Sequence, residues 1–255
     1  MRCINYKSLL NKSEKMDLEN IDQQVAVITG ASSGIGAAVT RNLASLGVKS
    51  IITARREEKL DKLATETGAL PVAGDIRDAD LPQHLLETAL HSFGRCDILI
   101  NNAGLMHIGT VQDLGLDQIH EMVSINIDAA FRLAYVFARH FTKQQSGYVV
   151  NISSILGTKV RATTGPYAGT KYAIEALTEA LRLELAGSGV RITAVEPGLV
   201  MTELHDHWKQ HPRDVQGIKA PLIPEDIAQV ISFLLRQPPH VSIPRVMVLP
   251  SEQVI

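Results

Sequence analysis

Tyr167 and Lys171 stand four residues apart, and Ser154 stands thirteen residues before the tyrosine. If Pro166 opens a helix, a spacing of four puts the phenol and the ammonium on one face. A phenol ordinarily titrates near 10, too high to give and take a proton at neutral pH. A neighbouring ammonium favours the phenolate and brings it toward the working range. Ser154, in the run Asn151-Ile152-Ser153-Ser154, can hold a substrate oxygen by hydrogen bond, with Ser153 as its rival. Asn126 is a polar residue within an otherwise apolar helical face. The chemistry such a set serves is proton transfer at an oxygen. A Tyr-x-x-x-Lys pair is common by itself, so its meaning depends on its surroundings.

A second group of residues precedes it. The apolar run Val25-Ala26-Val27-Ile28 leads into Thr29-Gly30-Ala31-Ser32-Ser33-Gly34-Ile35-Gly36. A strand, a glycine-rich turn and a helix together can hold a dinucleotide: glycine lets a pyrophosphate approach, and the helix offers unpaired N–H groups and a positive dipole end. The spacing is G-x-x-x-G-x-G rather than G-x-G-x-x-G, and glycine turns also serve simple packing. The next strand ends at Ala54-Arg55-Arg56, where an NAD-binding protein usually offers a carboxylate to the ribose. Two arginines instead suit the 2′-phosphate of NADP, although Arg56 could also simply open a solvated helix. Gly74-Asp75-Ile76 places a carboxylate where an adenine amine could be met, or makes a plain turn. Asn101-Asn102-Ala103-Gly104 is small and polar, fit for a ribose or for a bland turn.

The elements that must position these residues follow an alternating pattern. Apolar runs at 25–29, 48–54, 70–74, 97–100, 148–152, 190–195 and 246–249 read as buried parallel strands. Helical stretches at 34–46, 57–67, 81–92, 116–141, 166–186 and 224–235 separate most of them. That alternation predicts a single-domain α/β fold of the Rossmann type: a doubly wound parallel sheet of about seven strands with helices on both faces. In such a sheet, ligands bind beyond the carboxyl ends of the strands, where all of the residues above fall. Residues 1–24 read as a flexible N-terminal extension and residues 25–255 as the nucleotide-binding domain. The segment 198–223 has no clear period and reads as a lid or binding loop.

Composition narrows the partners. With 255 residues, a net charge of −2, 45% hydrophobic and 20% charged residues, the chain is an ordinary globular one. The charge gives no reason to expect nucleic acid, and no apolar run approaches the roughly 20 residues that cross a bilayer. Cys3 and Cys96 are far apart and form no metal or redox spacing, which suits a reduced, cytoplasmic setting. His205, His207 and His211 lie in the irregular segment without an element to fix them, so no metal is expected. His107 either lines a pocket or sits on a surface turn.

Taken together, Thr29–Gly36, Asn101–Gly104, Asn126, Ser154, Tyr167/Lys171 and Pro197-Gly198 resemble the classical short-chain dehydrogenase/reductases, from about Val25 to the C-terminus. The resemblance implies that Tyr167 is the general acid–base, that Lys171 lowers its pKa and binds the nicotinamide ribose, and that Ser154, by its spacing, orients the substrate carbonyl. It implies that Asn126 holds a water of a proton relay. Pro197, Gly198, Val200 and Thr202 would pass beside the nicotinamide. The implied activity is NADP(H)-dependent interconversion of a small carbonyl compound and its alcohol, by a homodimer or homotetramer built on the helices 116–141 and 166–186. Alternatives are a 3-oxoacyl-thioester ketoreductase, an NAD-linked alcohol dehydrogenase, or a cofactor-sensing regulatory protein on the same fold. Ala130 departs from the glycine frequent there, and Ser33 replaces a basic residue, leaving Arg55 and Arg56 to carry the NADP preference. The run Tyr167-Ala168-Gly169-Thr170-Lys171 and the ending Leu249-Pro250-Ser251-Glu252-Gln253 resemble a subgroup acting on small hydroxy acids, amino alcohols or aldehydes.

Overall fold

Seven parallel strands form one sheet in the order β3-β2-β1-β4-β5-β6-β7. They are β1 Val25–Thr29, β2 Lys49–Ala54, β3 Leu70–Ala73, β4 Ile98–Asn101, β5 Gly147–Ile152, β6 Val190–Pro197 and β7 Arg245–Val248. The structure is a computed structural model that describes residues 19–208, 210 and 212–254. The helices are α1 Gly34–Ser45, α2 Glu57–Thr67, α3 Leu81–Phe93, α4 Leu116–Val123, α5 Ala130–Gln144, α6 Gly165–Glu184, α7 Pro212–Gln216 and α8 Pro224–Leu235. The expected doubly wound architecture is therefore present.

Strand periodicity explains why both faces are covered. Side chains alternate across a strand, so Ala26 and Ile28 face one way while Val25 and Val27 face the other. The first set packs with Leu43 of α1, Leu60 of α2 and Ile231 of α8. The second packs with Leu85 of α3, Phe137 of α5 and Leu181 of α6. Cys96, just before β4, is fully buried in this second layer. The strand order reverses between β1 and β4, which opens the crevice at their carboxyl ends.

Three local features depart from the regular pattern. The stretch 116–141, expected as one helix, is divided: α4 and α5 flank a π-helical segment, Ser124–Ala129. Segment 198–223 carries a 3-10 turn at Glu203–His205, then α7, and its base is clipped by a parallel bridge between Val200 and Leu222. Of the expected extension 1–24, residues 1–18 lie outside the described residues, along with Cys3. Residues 19–24 are packed on the domain: Ile21 is buried, Glu19 N–H donates to Arg236 O at 2.7 Å, and Glu19 pairs with Arg191. Ile21 joins the apolar layer that also holds Leu43 of α1 and Ile231 of α8. No described helix is long and apolar enough to cross a membrane.

Candidate active site

The carboxyl ends of β1, β4 and β5 are stitched together by side chains that leave little freedom for the loops beyond. Thr29 Oγ1 accepts the N–H groups of both Asn102 and Ala103 at 3.0 Å. Asn102 Nδ2 donates to Thr29 O at 2.8 Å. Asn101 Nδ2 donates to Asn151 Oδ1 at 3.0 Å and to Ala130 O at 2.9 Å, and Asn151 Nδ2 donates to Thr178 Oγ1. Asn101 and Asn151 are register partners on β4 and β5, so this ladder of amides spans the site's floor. Sequence reading put Thr29 at a strand end heading the glycine motif and Asn101 in a run fit for a ribose or a turn, and gave Asn151 no role. The signal available was two asparagines each closing an apolar run.

Above this floor lies a cradle. Gly30 has a φ of +68°, and a Cβ there would come within 2.9 Å of Ala103 Cα. A Cβ on Gly36 would collide with Gly30 O, so the first turn of α1 is open to a ligand only because both residues are glycine. α1 has no side-chain cap, which leaves its first N–H groups for a bound group. Ser32, Ser33 and Gly34 form the rim, while Ile35 turns into the core. Thr202 sits across the rim, its methyl 3.1 Å from where a Cβ on Gly34 would be. These backbone gaps fit a pyrophosphate.

Arg56 folds back onto that rim. Its Nη2 donates to Ser32 Oγ at 2.9 Å and to Ser33 Oγ at 2.7 Å. The Glu203 carboxylate accepts from Arg56 Nη1 and from Lys59 Nζ, the latter at 2.6 Å. Lys59 and Glu203 were not singled out from the sequence, and nothing local could have paired them. Arg55 is exposed and lends its charge to the surroundings of Asp75. Asp75 is gripped by Arg77, which with that charge holds its carboxyl down at about 2. Ile76 packs under it in the α3 layer. At the far side, Pro197 ends β6, Gly198 N–H donates to Val248 O, and Val200 is buried beside the Leu222 bridge.

The titratable residues meet at the end of β5. Ser154 begins a 3-10 turn, Ile155–Gly157, and accepts the N–H of Leu156 at 3.1 Å. The Ser154 hydroxyl lies close enough to the Tyr167 phenol to draw its titration down. Ser153 Oγ lies instead beside Gly157, 2.6 Å from where a Cβ would stand, on the Glu175 side. Tyr167 and Lys171 share the buried face of α6, with Lys171 Nζ 5.7 Å from the Tyr167 ring centre. Lys171 Nζ donates to Ile152 O at 2.9 Å. Asn126, in the π segment, accepts Leu105 N–H at 2.9 Å and donates to Leu105 O and to Thr170 Oγ1. Its Oδ1 lies 3.2 Å and Lys171 Nζ 3.7 Å from where a Cβ on Gly104 would stand.

The expected lowering of the phenol is not what this geometry gives. Burial pushes Tyr167 up to about 12, against a smaller opposing effect of the Ser154 hydroxyl. Burial also pushes Lys171 down to about 8, with Glu175, one turn along α6, pulling it back up. Desolvation penalises both charged forms, and the ammonium is committed to a carbonyl rather than to the phenol. Behind Lys171, burial and the neighbouring Glu175 carboxylate raise Glu196 to about 7, while Arg245 contacts both acids.

The substrate side is apolar with a polar edge. Met106, Met122, Ile155, Leu156 and Ala168 surround Tyr167, and Leu204 and Trp208 of the lid segment pack on them. His107 pairs with Glu121 at 3.1 Å and meets the His207 ring edge-on at 5.5 Å. Among the described residues no cluster of three or more His, Cys, Asp or Glu could hold a metal, and His211 lies outside them.

This arrangement has relatives. The family model described as short chain dehydrogenase matches residues 24–213. An uncharacterized oxidoreductase of Staphylococcus saprophyticus is 36% identical over 244 residues, covering 92% of this chain and 99% of its own. Another, of Staphylococcus epidermidis, is 32% identical over 91% of this chain and 100% of its own. Among solved structures, a 3-ketoacyl-(acyl-carrier-protein) reductase of Brucella melitensis complexed with NADH is 27% identical with a TM-score of 0.85, covering 92% of this chain and 100% of that one. A serine dehydrogenase complexed with NADP+ is also 27% identical with a TM-score of 0.85, covering 91% and 97%.

Proposed function

The chain belongs to the short chain dehydrogenase family, and on that premise we propose that it interconverts a small aldehyde or ketone and its alcohol with NADP(H). The observation that carries this reading is the buried Ser154–Tyr167 hydroxyl pair beside Lys171, one loop away from the Gly30–Gly36 cradle. Gly30, Ser32, Ser33, Gly34, Ile35 and Gly36 would hold the pyrophosphate by backbone N–H groups. Asp75 and Ile76 would flank the adenine, Asn102, Ala103 and Gly104 a ribose, and Pro197, Gly198, Val200 and Thr202 the nicotinamide. Bound there, the nicotinamide supplies or accepts the hydride. Tyr167 gives its proton to the carbonyl oxygen in reduction and takes one back in oxidation. Ser154 donates a hydrogen bond to that same oxygen and fixes its position. The Lys171 ammonium, held beside the Tyr167 ring, binds ribose hydroxyls, and Asn126 holds the Gly104 loop against it and positions the relay water.

The phosphate-bearing cofactor is supported by Arg56 on two serine hydroxyls at the tip of β2, by Lys59, which shares Glu203 with it, and by the exposed Arg55. A small polar substrate is supported by the His107–Glu121 edge of an otherwise apolar pocket and by the similarity to a serine dehydrogenase. A cytoplasmic homodimer or homotetramer joined through α5 and α6 belongs to the same proposal; Tyr135, Tyr172 and Leu183 are exposed on those helices.

The test is a panel of small aldehydes, ketones and hydroxy acids followed by NADPH absorbance. Tyr167→Phe is expected to keep NADPH binding and lose turnover by about 10²–10⁴-fold. Retained turnover would remove Tyr167 from the proton-transfer role. Arg55→Asp is expected to weaken NADPH relative to NADH by about tenfold, one charge-assisted contact to phosphate being lost and a repulsion added. Unchanged selectivity would refute the phosphate assignment.

A further inference from the structure

Glu203 reaches across the molecule to the tip of β2. Its carboxylate accepts from Arg56 and Lys59, residues 147 and 144 positions away in the chain. Ser32 and Ser33 hold the other edge of the Arg56 guanidinium, and Ser33 helps to keep the carboxyl down. Two cations converge on this one anion, and two hydroxyls stand at the far edge of one of them, groups that together suit a phosphate monoester. One residue later the same segment changes sides: Leu204 and Trp208 pack on the cluster that contains Tyr167, and Trp208 meets His205 ring to edge at 5.0 Å. The 3-10 turn starting at Glu203 thus ties the nucleotide side of the crevice to the cover of the substrate side. The bridge between Val200 and Leu222 holds the base of the segment.

We propose that Glu203 is an internal stand-in for the ribose phosphate of the cofactor, and that binding of the phosphate displaces it and releases the 203–208 turn from its position over Tyr167. This rests on the NADP(H) reading above. The paired groups are each roughly half exposed, with side-chain exposures of 46% for Arg56, 49% for Lys59 and 41% for Glu203. The contact is accordingly weak enough for a doubly charged ligand to replace. Both cations hold the carboxylate at about 2, so the latch stays charged throughout the neutral range. A phosphate must therefore compete with it rather than wait for its protonation.

Trp208 is the single tryptophan of the chain and reports directly on the turn. Wild type, Glu203→Gln and Lys59→Gln are each titrated with adenosine 2′,5′-bisphosphate and with 5′-AMP, following heat of binding and Trp208 emission. In wild type, the bisphosphate is expected to shift the emission and 5′-AMP to leave it unchanged. Glu203→Gln is expected to show the shifted emission before any ligand is added, and to bind the bisphosphate about fivefold tighter with 5′-AMP unaltered. Lys59→Gln also loosens the latch and shifts the emission, yet binds the bisphosphate more weakly, the opposite sign. If wild type prefers the bisphosphate but Glu203→Gln changes neither emission nor affinity, the latch is wrong and the NADP(H) reading survives. If wild type does not distinguish the two nucleotides, both fall. Circular dichroism melts of the variants guard against reading an unfolded protein as an open one.

Discussion

Lys171 and Tyr167 are both buried, and their titrations move in opposite directions from their usual values. For the free enzyme, kcat/KM reports the groups that must be in a given protonation state. The Lys171 ammonium, needed in the proposed mechanism to hold the ribose hydroxyls, is lost as pH rises through about 8. Reductive kcat/KM is therefore expected to fall above pH 8, and Lys171→Arg, which stays protonated, should remove that limb from a pH–rate profile. The same groups shape stability. Because Lys171 is lowered in the fold, the unfolded chain holds more protons between about 8 and 10.5, and stability rises with pH across that window. Tyr167 is raised, so stability falls as pH goes from 10 to about 12. From sequence, the residues of this set were legible by type and spacing. The direction of the phenol's shift was not, because it depends on burial that only the fold creates.

At the scale of elements, the alternation of strand and helix was readable almost to the residue. The period-two apolar runs are buried on both faces by helices carrying their own apolar stripes. The break inside 116–141 was not readable. Apolar positions recur through it without interruption, and neither proline nor glycine marks the π segment. Yet this widened turn lets Asn126 lie inward between residue 105 and α6. Asn126→Ala would strand the buried polar groups of Leu105 and Thr170. We expect a loss of about 2–3 kcal/mol, and a melting temperature lower by roughly 5–10 °C in a thermal scan. Long-range pairs such as Arg56 with Glu203 lie equally beyond sequence reading, since no local pattern relates residues so far apart.

Across the whole molecule, one sheet with two apolar layers carries every candidate residue at a single edge, and the opposite edge carries none of them. Residues 19–24, expected outside the domain, pack on it through Ile21 and Glu19; a single apolar residue supplied no period by which to recognise this from the sequence. The layer under α3 has a consequence for how the molecule opens. Cys96 is fully enclosed there, and burial pushes its thiol up to about 12, so almost no thiolate exists at neutral pH and no reagent can reach it. In a Cys3→Ser background, alkylation at this one sulfur becomes a clock for separation of the α3 layer from the sheet. Its rate should follow global unfolding across a urea series, and NADPH should slow it. Labelling that outruns unfolding would instead reveal a partial opening of the nucleotide half.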